Sequence, residues 1–365
     1  MNKKTHSDKL PPVWLVKSIN AFRETLLFLN KKMFPGNVVL YEQFQHFWML
    51  PSLYVAAELN IAEILKKHPK TVDEIARVAM VDSPSLYRIM RALSSQGIFK
   101  ELKNKVFANN RMSNALLDQP GSLRNMLVHH LGPVNWNAMS YLLHALKCGG
   151  NAFEHAHGLK TYDYLKSHPD EHEVFDKSMS SLSDLGLSPI LNACDLSGIS
   201  TIADIGGGEG FFLANLLVKH QHLKGILFDT PEALLKAPAI SEKFGVTHRV
   251  TTCPGDFFTS VPVEADCYIL KNIIHNWDDP HCISILHNIR SRMSATSRIL
   301  IMDMIVAPNN KPSLAKLLDI QMLVTMQGGK ERTKPEFESI ITQSGLKLKA
   351  IHPTIAPLSI IEAIA

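Results

Sequence analysis

Residues 201–210 read TIADIGGGEG, and the rest of the chain is organised around them. Ile202, Ala203 and Ile205 make a short apolar strand that carries one acid, Asp204, and runs into Gly206, Gly207, Gly208 and Gly210. An apolar run of this length bounded by glycines is a buried strand followed by a tight turn. A helix then starts near Glu209 and continues through Phe212, Leu213, Leu216 and Leu217. Such a turn lets a ligand approach the backbone, and the helix N-terminus offers free N–H groups. The dinucleotide frame G-x-G-x-x-G fails, because its sixth position, counted from Gly206, is Phe211. The remaining G-x-G-x-G suits a nucleoside bearing an amino-acid carboxylate better than a pyrophosphate. An ordinary βα turn is the alternative.

The next stretch supports a nucleoside site. Residues 224–228 (KGILF) form a second apolar strand ending at Asp229, 21 residues after Gly208. An acid about 20 positions beyond the glycine turn is placed to hold ribose hydroxyls; a helix cap or solvated loop acid is the other reading. Thr230-Pro231 starts a helix, with Thr as N-cap. From residue 201 onward strands and helices alternate, with strands expected at 201–205, 224–228, 248–252, 266–270, 297–302, 346–351 and 358–363. This alternation is an α/β doubly wound, mainly parallel sheet. Its ligands bind beyond the carboxyl ends of the strands, so the polar residues there are the candidates.

Asp256-Phe257 follows the third strand, an acid and a ring that suit an adenine. Residues 271–282 (KNIIHNWDDPHC) follow the fourth, placing His275 beside the nucleotide site. Asp303 follows the fifth strand, and Glu331 precedes a helix capped by Thr333-x-x-Glu336. An ordinary imidazole has a pKa near about 6.5 and a phenol near about 10. Two carboxylates beside the His favour imidazolium and strengthen the base. The set fits a general base acting on a hydroxyl nucleophile.

Before residue 195 the pattern is mainly helical. Residues 10–47 carry Trp14, Ile19, Phe22, Leu26 and Leu29 at helical spacing, fit to pack on a partner subunit or on the chain's own core. Thr71-x-x-Glu74 is a capping box, Ser83-Pro84 starts a second helix, and residues 98–108 read as a β-wing around Lys103-Asn104. Helix, helix, wing is a winged-helix pattern. Arg88 and Arg91 are too few to make it a DNA reader, and a solvated face of a dimerisation module is preferred. Phe175, Met179 and Leu182 make an apolar helix face, either core or the wall of a substrate pocket. The expected domains are 1–195, helical, and 196–365, ligand-binding.

Composition excludes several classes. The chain has 365 residues, 45% apolar and 20% charged, with a net charge of +4, which suits a globular protein and gives no charge argument for nucleic acid. Lys3-Lys4 is not followed by an unbroken apolar run, so no secretory signal is expected, and no apolar stretch is long enough to span a bilayer. The five cysteines include no C-x-x-C pair, which points to reduced thiols and a cytoplasmic protein. His129-His130 and His155-x-His157 lack metal-ligand spacing, and no metal is expected.

The glycine motif, the His-x-Trp motif in LKNIIHNWDDPHC and the GGKERT stretch together resemble the S-adenosylmethionine (SAM)-dependent O-methyltransferases of the plant caffeate/isoflavone and acetylserotonin type, including bacterial members. The resemblance runs from about residue 50 to the C-terminus. It implies a class I methyltransferase (Rossmann-like) domain behind an N-terminal winged-helix-like dimerisation domain, and a homodimer. It implies SAM contacts from Gly206, Gly208, Asp229, Asp256, Phe257 and Lys271, and an acceptor pocket lined by Phe175, Met179 and Met322. His275 matches the catalytic base, with Asp303 and Glu331 as its acidic neighbours. Asp303 stands where plant members often carry Glu, so its reach is shorter. Asn276 replaces the usual Asp after the catalytic His, and Asn272 replaces a large apolar residue. The expected reaction is methyl transfer to a hydroxyl, most commonly phenolic in such enzymes, on a small aromatic molecule. The alternatives are a homologue that keeps SAM for hydroxylation or decarboxylation, a DNA-binding regulator, and a silent SAM-binding interaction protein.

Overall fold

The computed structural model describes residues 12–365, apart from the side chains of 13, 17 and 183–185. Lys3-Lys4 lies outside the described residues. The chain divides into two compact units, Met1–Gly132 and Pro133–Ala365.

In the first unit, helix Val72–Ala79 begins at the expected capping box. Thr71 Oγ1 accepts the Glu74 N–H at 3.3 Å, and Glu74 returns a carboxylate to the Thr71 N–H at 2.7 Å. Helix Ser83–Ser95 follows, with Asp82 as its cap. Its apolar positions Leu86, Met90 and Leu93 pack on Ile61, Ile75 and Phe107. The wing is a small antiparallel sheet of β1 (Lys70–Thr71), β2 (Lys100–Leu102) and β3 (Val106–Ala108), in the order β1-β3-β2. Arg91 and Lys105 both stand over the Tyr87 ring, at 5.5 and 4.8 Å, so these cations are engaged by their own module. Helices Val13–Lys32 and Gly36–Phe44 leave Trp14, Phe22 and Leu40 about two-thirds exposed or more (67%, 66% and 72%).

The second unit is built on a seven-stranded sheet. Its members are β4 (Thr201–Ile205), β5 (Lys224–Asp229), β6 (Val250–Pro254), β7 (Cys267–Lys271), β8 (Arg298–Asp303), β11 (Lys347–Pro353) and β12 (Ser359–Ile364). Between β8 and β11 lie β9 (Ile305–Val306) and β10 (Arg332–Thr333), which pair with each other in parallel. The order across the sheet is β11-β12-β8-β7-β4-β5-β6. Five strands are parallel, and the β11–β12 hairpin runs antiparallel beside β8. Ile202, Leu227 and Ile269 face one core, and Ala203, Tyr268 and Ile301 the other. All seven expected strands are present. The third starts two residues later than expected, at Val250, because Thr247–Arg249 forms a 3₁₀ turn. The helix expected at Thr230-Pro231 begins instead as a 3₁₀ turn, Ala233–Lys236, before helix Ala237–Lys243.

The expected 195/196 boundary lies just after helix Pro169–Ala193, within the second compact unit. Within that unit Ala138, Ala145, Ala152 and Phe153 share a core with Val324, from helix Leu314–Thr325. The helices that follow Gly132 therefore bury their apolar faces against the later half of the chain.

Successive strands leave β4 in opposite directions, β5 and β6 to one side and β7 and β8 to the other. That reversal opens a crevice at the carboxyl ends of β4 and β7. Beneath it the buried Tyr268 hydroxyl donates to Val263 O at 3.0 Å and accepts from the Ala265 N–H at 3.2 Å. Replacing Tyr268 by Phe strands both backbone groups, and urea unfolding is expected to show a loss of about 1–3 kcal/mol.

Candidate active site

The turn after β4 takes left-handed backbone at Gly206 (φ +71°), Gly208 (+58°) and Gly210 (+80°). It is also tight. A Cβ on Gly207 would lie 2.5 Å from Leu227 Cδ1 and 2.6 Å from Asp204 Oδ2. Helix Phe211–Lys219 begins directly behind it, with Gly210 at the cap position. From the end of β5, Asp229 accepts the Gly208 N–H on Oδ2 at 2.8 Å and the Thr230 N–H on Oδ1 at 2.7 Å. Burial raises its pKa, and these two donors oppose the rise. The glycine turn and Asp229 thus form one unit.

Asp256 sits on the exposed turn after β6, where it accepts the Phe258 N–H at 2.9 Å. Phe257 lies edge-on to Trp277 at 6.1 Å, and Phe258 does the same at 4.7 Å. Lys271, at the end of β7, stands 5.7 Å over the Phe212 ring. Burial pulls its pKa down, while Asp204 and Asp303 hold it up. Asp204 is 1% exposed, and burial pushes its carboxyl up to about 7 against the pull of Lys271.

After Lys271 the chain turns through Asn272 in left-handed backbone (φ +55°), then through the 3₁₀ turn Ile274–Asn276 that carries His275. Glu331 Oε1 lies 2.7 Å from His275 Nδ1, and Asp303 Oδ1 lies 4.0 Å from the same nitrogen. The three expected residues therefore meet, and the shorter Asp303 stops beyond hydrogen-bond reach. Burial alone would lower the imidazole pKa; Asp303 and Glu331 more than reverse this and raise it. Asp303 is fully buried with neither oxygen hydrogen-bonded, and burial pushes it up to about 7 against the pull of His275. With Nδ1–H donated to Glu331, the lone pair resides on Nε2.

Arg332 holds this arrangement together. It is fully buried. Its Nη1 donates to Ile274 O at 2.9 Å and its Nη2 to Trp277 O at 2.8 Å, one residue before and two after His275. Nε and Nη2 both donate to Asp279 Oδ1, at 2.9 and 2.7 Å. Glu331 is held from its other side, where its N–H donates to Asp319 Oδ1 at 2.9 Å. Asn276 Nδ2 donates to Asn272 O at 3.0 Å and closes the loop on itself. An Asp in that position has no N–H to give, so this departure has a local structural use.

Phe175 is half-buried on helix Pro169–Ala193 and lies edge-on to Tyr162 at 6.4 Å; Tyr162 in turn faces Trp277 at 6.1 Å with rings 23° apart. Met179 is half-buried one turn beyond Phe175, and Met322 is buried on helix Leu314–Thr325. Tyr162 is 37% exposed as a whole residue. Crowding around its hydroxyl, and then the charge of Asp229, push it up to about 12. Among the described residues no group of three His, Cys, Asp or Glu side chains is placed to hold a metal ion. No helix among them is long and apolar enough to cross a membrane.

Residues 139–347 match the family model of an O-methyltransferase domain, and residues 41–119 that of an O-methyltransferase dimerisation domain. The chain belongs to the O-methyltransferase family. This O-methyltransferase is 34% identical to the phenazine O-methyltransferase PhzM of Lysobacter antibioticus over 330 residues, 90% of this chain and 96% of the relative. It is 31% identical to the mitomycin biosynthesis 6-O-methyltransferase of Streptomyces lavendulae, over 86% and 90% of the two chains. Among solved structures it is similar to LaPhzM, with a TM-score of 0.86 at 34% identity, covering 91% of this chain and 99% of that one. It is also similar to CalO1, a methyltransferase in calicheamicin biosynthesis, in its S-adenosylhomocysteine (SAH)-bound form, with a TM-score of 0.80 at 29% identity over 90% and 98% of the chains. The fold is that of a class I methyltransferase, and the methyl donor of this enzyme is SAM.

Three residues of the site stand outside the motif-based candidates. Asp204 carried a signal, as a charge inside an apolar strand. Tyr162 and Arg332 carried none, because their roles depend on partners distant in sequence. Replacing Arg332 by Met would strand the Ile274 and Trp277 carbonyls in a buried site, while Asp279 keeps Lys330 at 3.0 Å. Denaturant unfolding is expected to show a loss of about 3–5 kcal/mol.

Proposed function

We propose that this O-methyltransferase methylates a hydroxyl of a small aromatic molecule, with His275 as general base. The observation that carries this reading is the 2.7 Å contact between His275 Nδ1 and Glu331, which leaves Nε2 to receive a proton. SAM supplies an electrophilic sulfonium methyl and leaves as SAH. Gly206, Gly208 and Asp229 would hold its amino-acid and ribose parts; Asp256 and Phe257 would hold the adenine. Lys271 would add a positive charge below the site, shared with Asp204 and Asp303.

Phe175, Met179 and Met322 would line the acceptor pocket, where apolar rings and thioethers suit a flat aromatic. The fixed loop at His275 would hold the acceptor oxygen in line with the methyl carbon. As that oxygen forms its bond to carbon, its proton passes to His275 Nε2. Glu331 and Asp303 stabilise the imidazolium. Methyl transfer to a ring-bound amine is a second reading. It is favoured by 29% identity to the 8-amino-8-demethylriboflavin N,N-dimethyltransferase of Streptomyces davaonensis. The dimerisation domain and the exposed apolar residues of the first two helices support a homodimer that covers those residues. A cytoplasmic location remains part of this reading.

The test is transfer of labelled methyl from SAM to a panel of phenols and aromatic amines. His275→Ala is expected to lower turnover by about 10²–10⁴-fold while calorimetry shows SAH binding retained. Persistent turnover would remove His275 as the base. The base works only when neutral, so activity falls on the acid side of its pKa. The two carboxylates raise that pKa above the ordinary value, so the acid limb of kcat/KM is expected above about pH 6.5. Glu331→Gln removes a negative charge and is expected to move that limb to lower pH.

A further inference from the structure

Lys236 links three elements that the proposed reaction uses. It lies seven residues after Asp229, in the 3₁₀ turn Ala233–Lys236. Its Nζ lies 2.8 Å from Glu209 Oε1, which belongs to the glycine turn. The same Nζ lies 3.2 Å from Asp176 Oδ2, next to Phe175 on helix Pro169–Ala193. Asp176 also faces His172 Nε2 at 3.6 Å. Glu209 first, and then Asp176, hold the ammonium pKa above its ordinary value despite partial burial.

The far end of the same helix is fastened separately. Lys219 Nζ donates to Leu191 O at 2.5 Å and to Asn192 Oδ1 at 2.7 Å. Between the two fastenings the helix contains Gly186 and Pro189. A proline inside a helix removes one hydrogen bond of the ladder and weakens the rod there. Lys236 therefore gives the half carrying Phe175 and Met179 a polar link to the glycine turn that the far half lacks.

We propose that Lys236 is a positioning residue that ties the acceptor-facing half of helix Pro169–Ala193 to the cofactor turn, so that filling the cofactor site orders the acceptor wall. This rests on the proposed placement of SAM at the glycine turn. Fixing Glu209 from the cofactor side fixes the lysine, and the lysine fixes Asp176. Each contact is partly exposed and modest alone; the coupling comes from one ammonium serving both carboxylates.

Hydrogen exchange of the full-length protein, with and without SAH, tests it without an acceptor. In the unmodified protein SAH is expected to slow exchange at residues 206–212, and to slow it about five-fold at 170–180, the scale of a modest ion-pair network. In Lys236→Met, protection at 206–212 is expected to remain and protection at 170–180 to disappear. Lys236→Arg is expected to restore it. Equal protection of 170–180 in Lys236→Met, or none there in the unmodified protein while 206–212 is protected, overturns the coupling. No protection at either segment overturns the cofactor placement itself, and the coupling with it.

Discussion

The site depends on the buried guanidinium of Arg332. His275 occupies a short turn between a strand end and a helix, a region with little regular backbone pairing of its own. Arg332 supplies what the turn lacks by taking the carbonyls on both sides of His275 and the carboxylate of Asp279. A fully buried cation is costly unless every donor is used and a counter-charge is present. Here both conditions hold, and the planar fork of an arginine meets them where the point charge of a lysine would not. Because Glu331 is the adjacent residue, one backbone segment sets the position of His275 and of the carboxylate that touches it.

The charges around this bracket divide into two groups. Asp204 and Asp303 are buried at the strand ends beside the half-buried Lys271, and desolvation drives each toward its neutral form while the neighbours resist. His275 and the buried Glu331 touch directly. In the proposed reaction the first group gives the floor of the site its potential, and the second takes the proton. The 4.0 Å gap at Asp303 keeps it in the first group as a source of field.

Local features were legible in the sequence because their causes are local. The glycine turn, both capping boxes and the alternating strands depend on neighbours within a few residues, and all of them occur. The convergence of His275, Asp303 and Glu331 was legible through strand-end placement, since a parallel sheet brings those ends to one edge. The packing partner of the helices after Gly132 was not. Residues 195–200 resemble a linker, while the helices after Gly132 find their core partner at Val324, far along the chain. Arg332 and Tyr162 were illegible for the same reason. Thr230-Pro231 looked like a helix start, but Asp229 takes the Thr230 N–H and the chain tightens into a 3₁₀ turn.

Helix Leu314–Thr325 carries Met322, and one turn earlier it carries Asp319, which holds the backbone of Glu331. The two proposed walls of the acceptor pocket are therefore unequal in how freely they can diverge. On that proposal, substitutions at Phe175 or Met179 would alter the shape offered to an acceptor without touching a residue that holds His275. A change at Met322 that shifts its helix also moves Asp319, and with it the carboxylate on His275. A lineage acquiring new acceptors would meet less resistance on the first wall, where variation leaves the chemistry in place. The second wall ties acceptor shape to turnover, and drift there would be confined to side chains that keep the helix where it is.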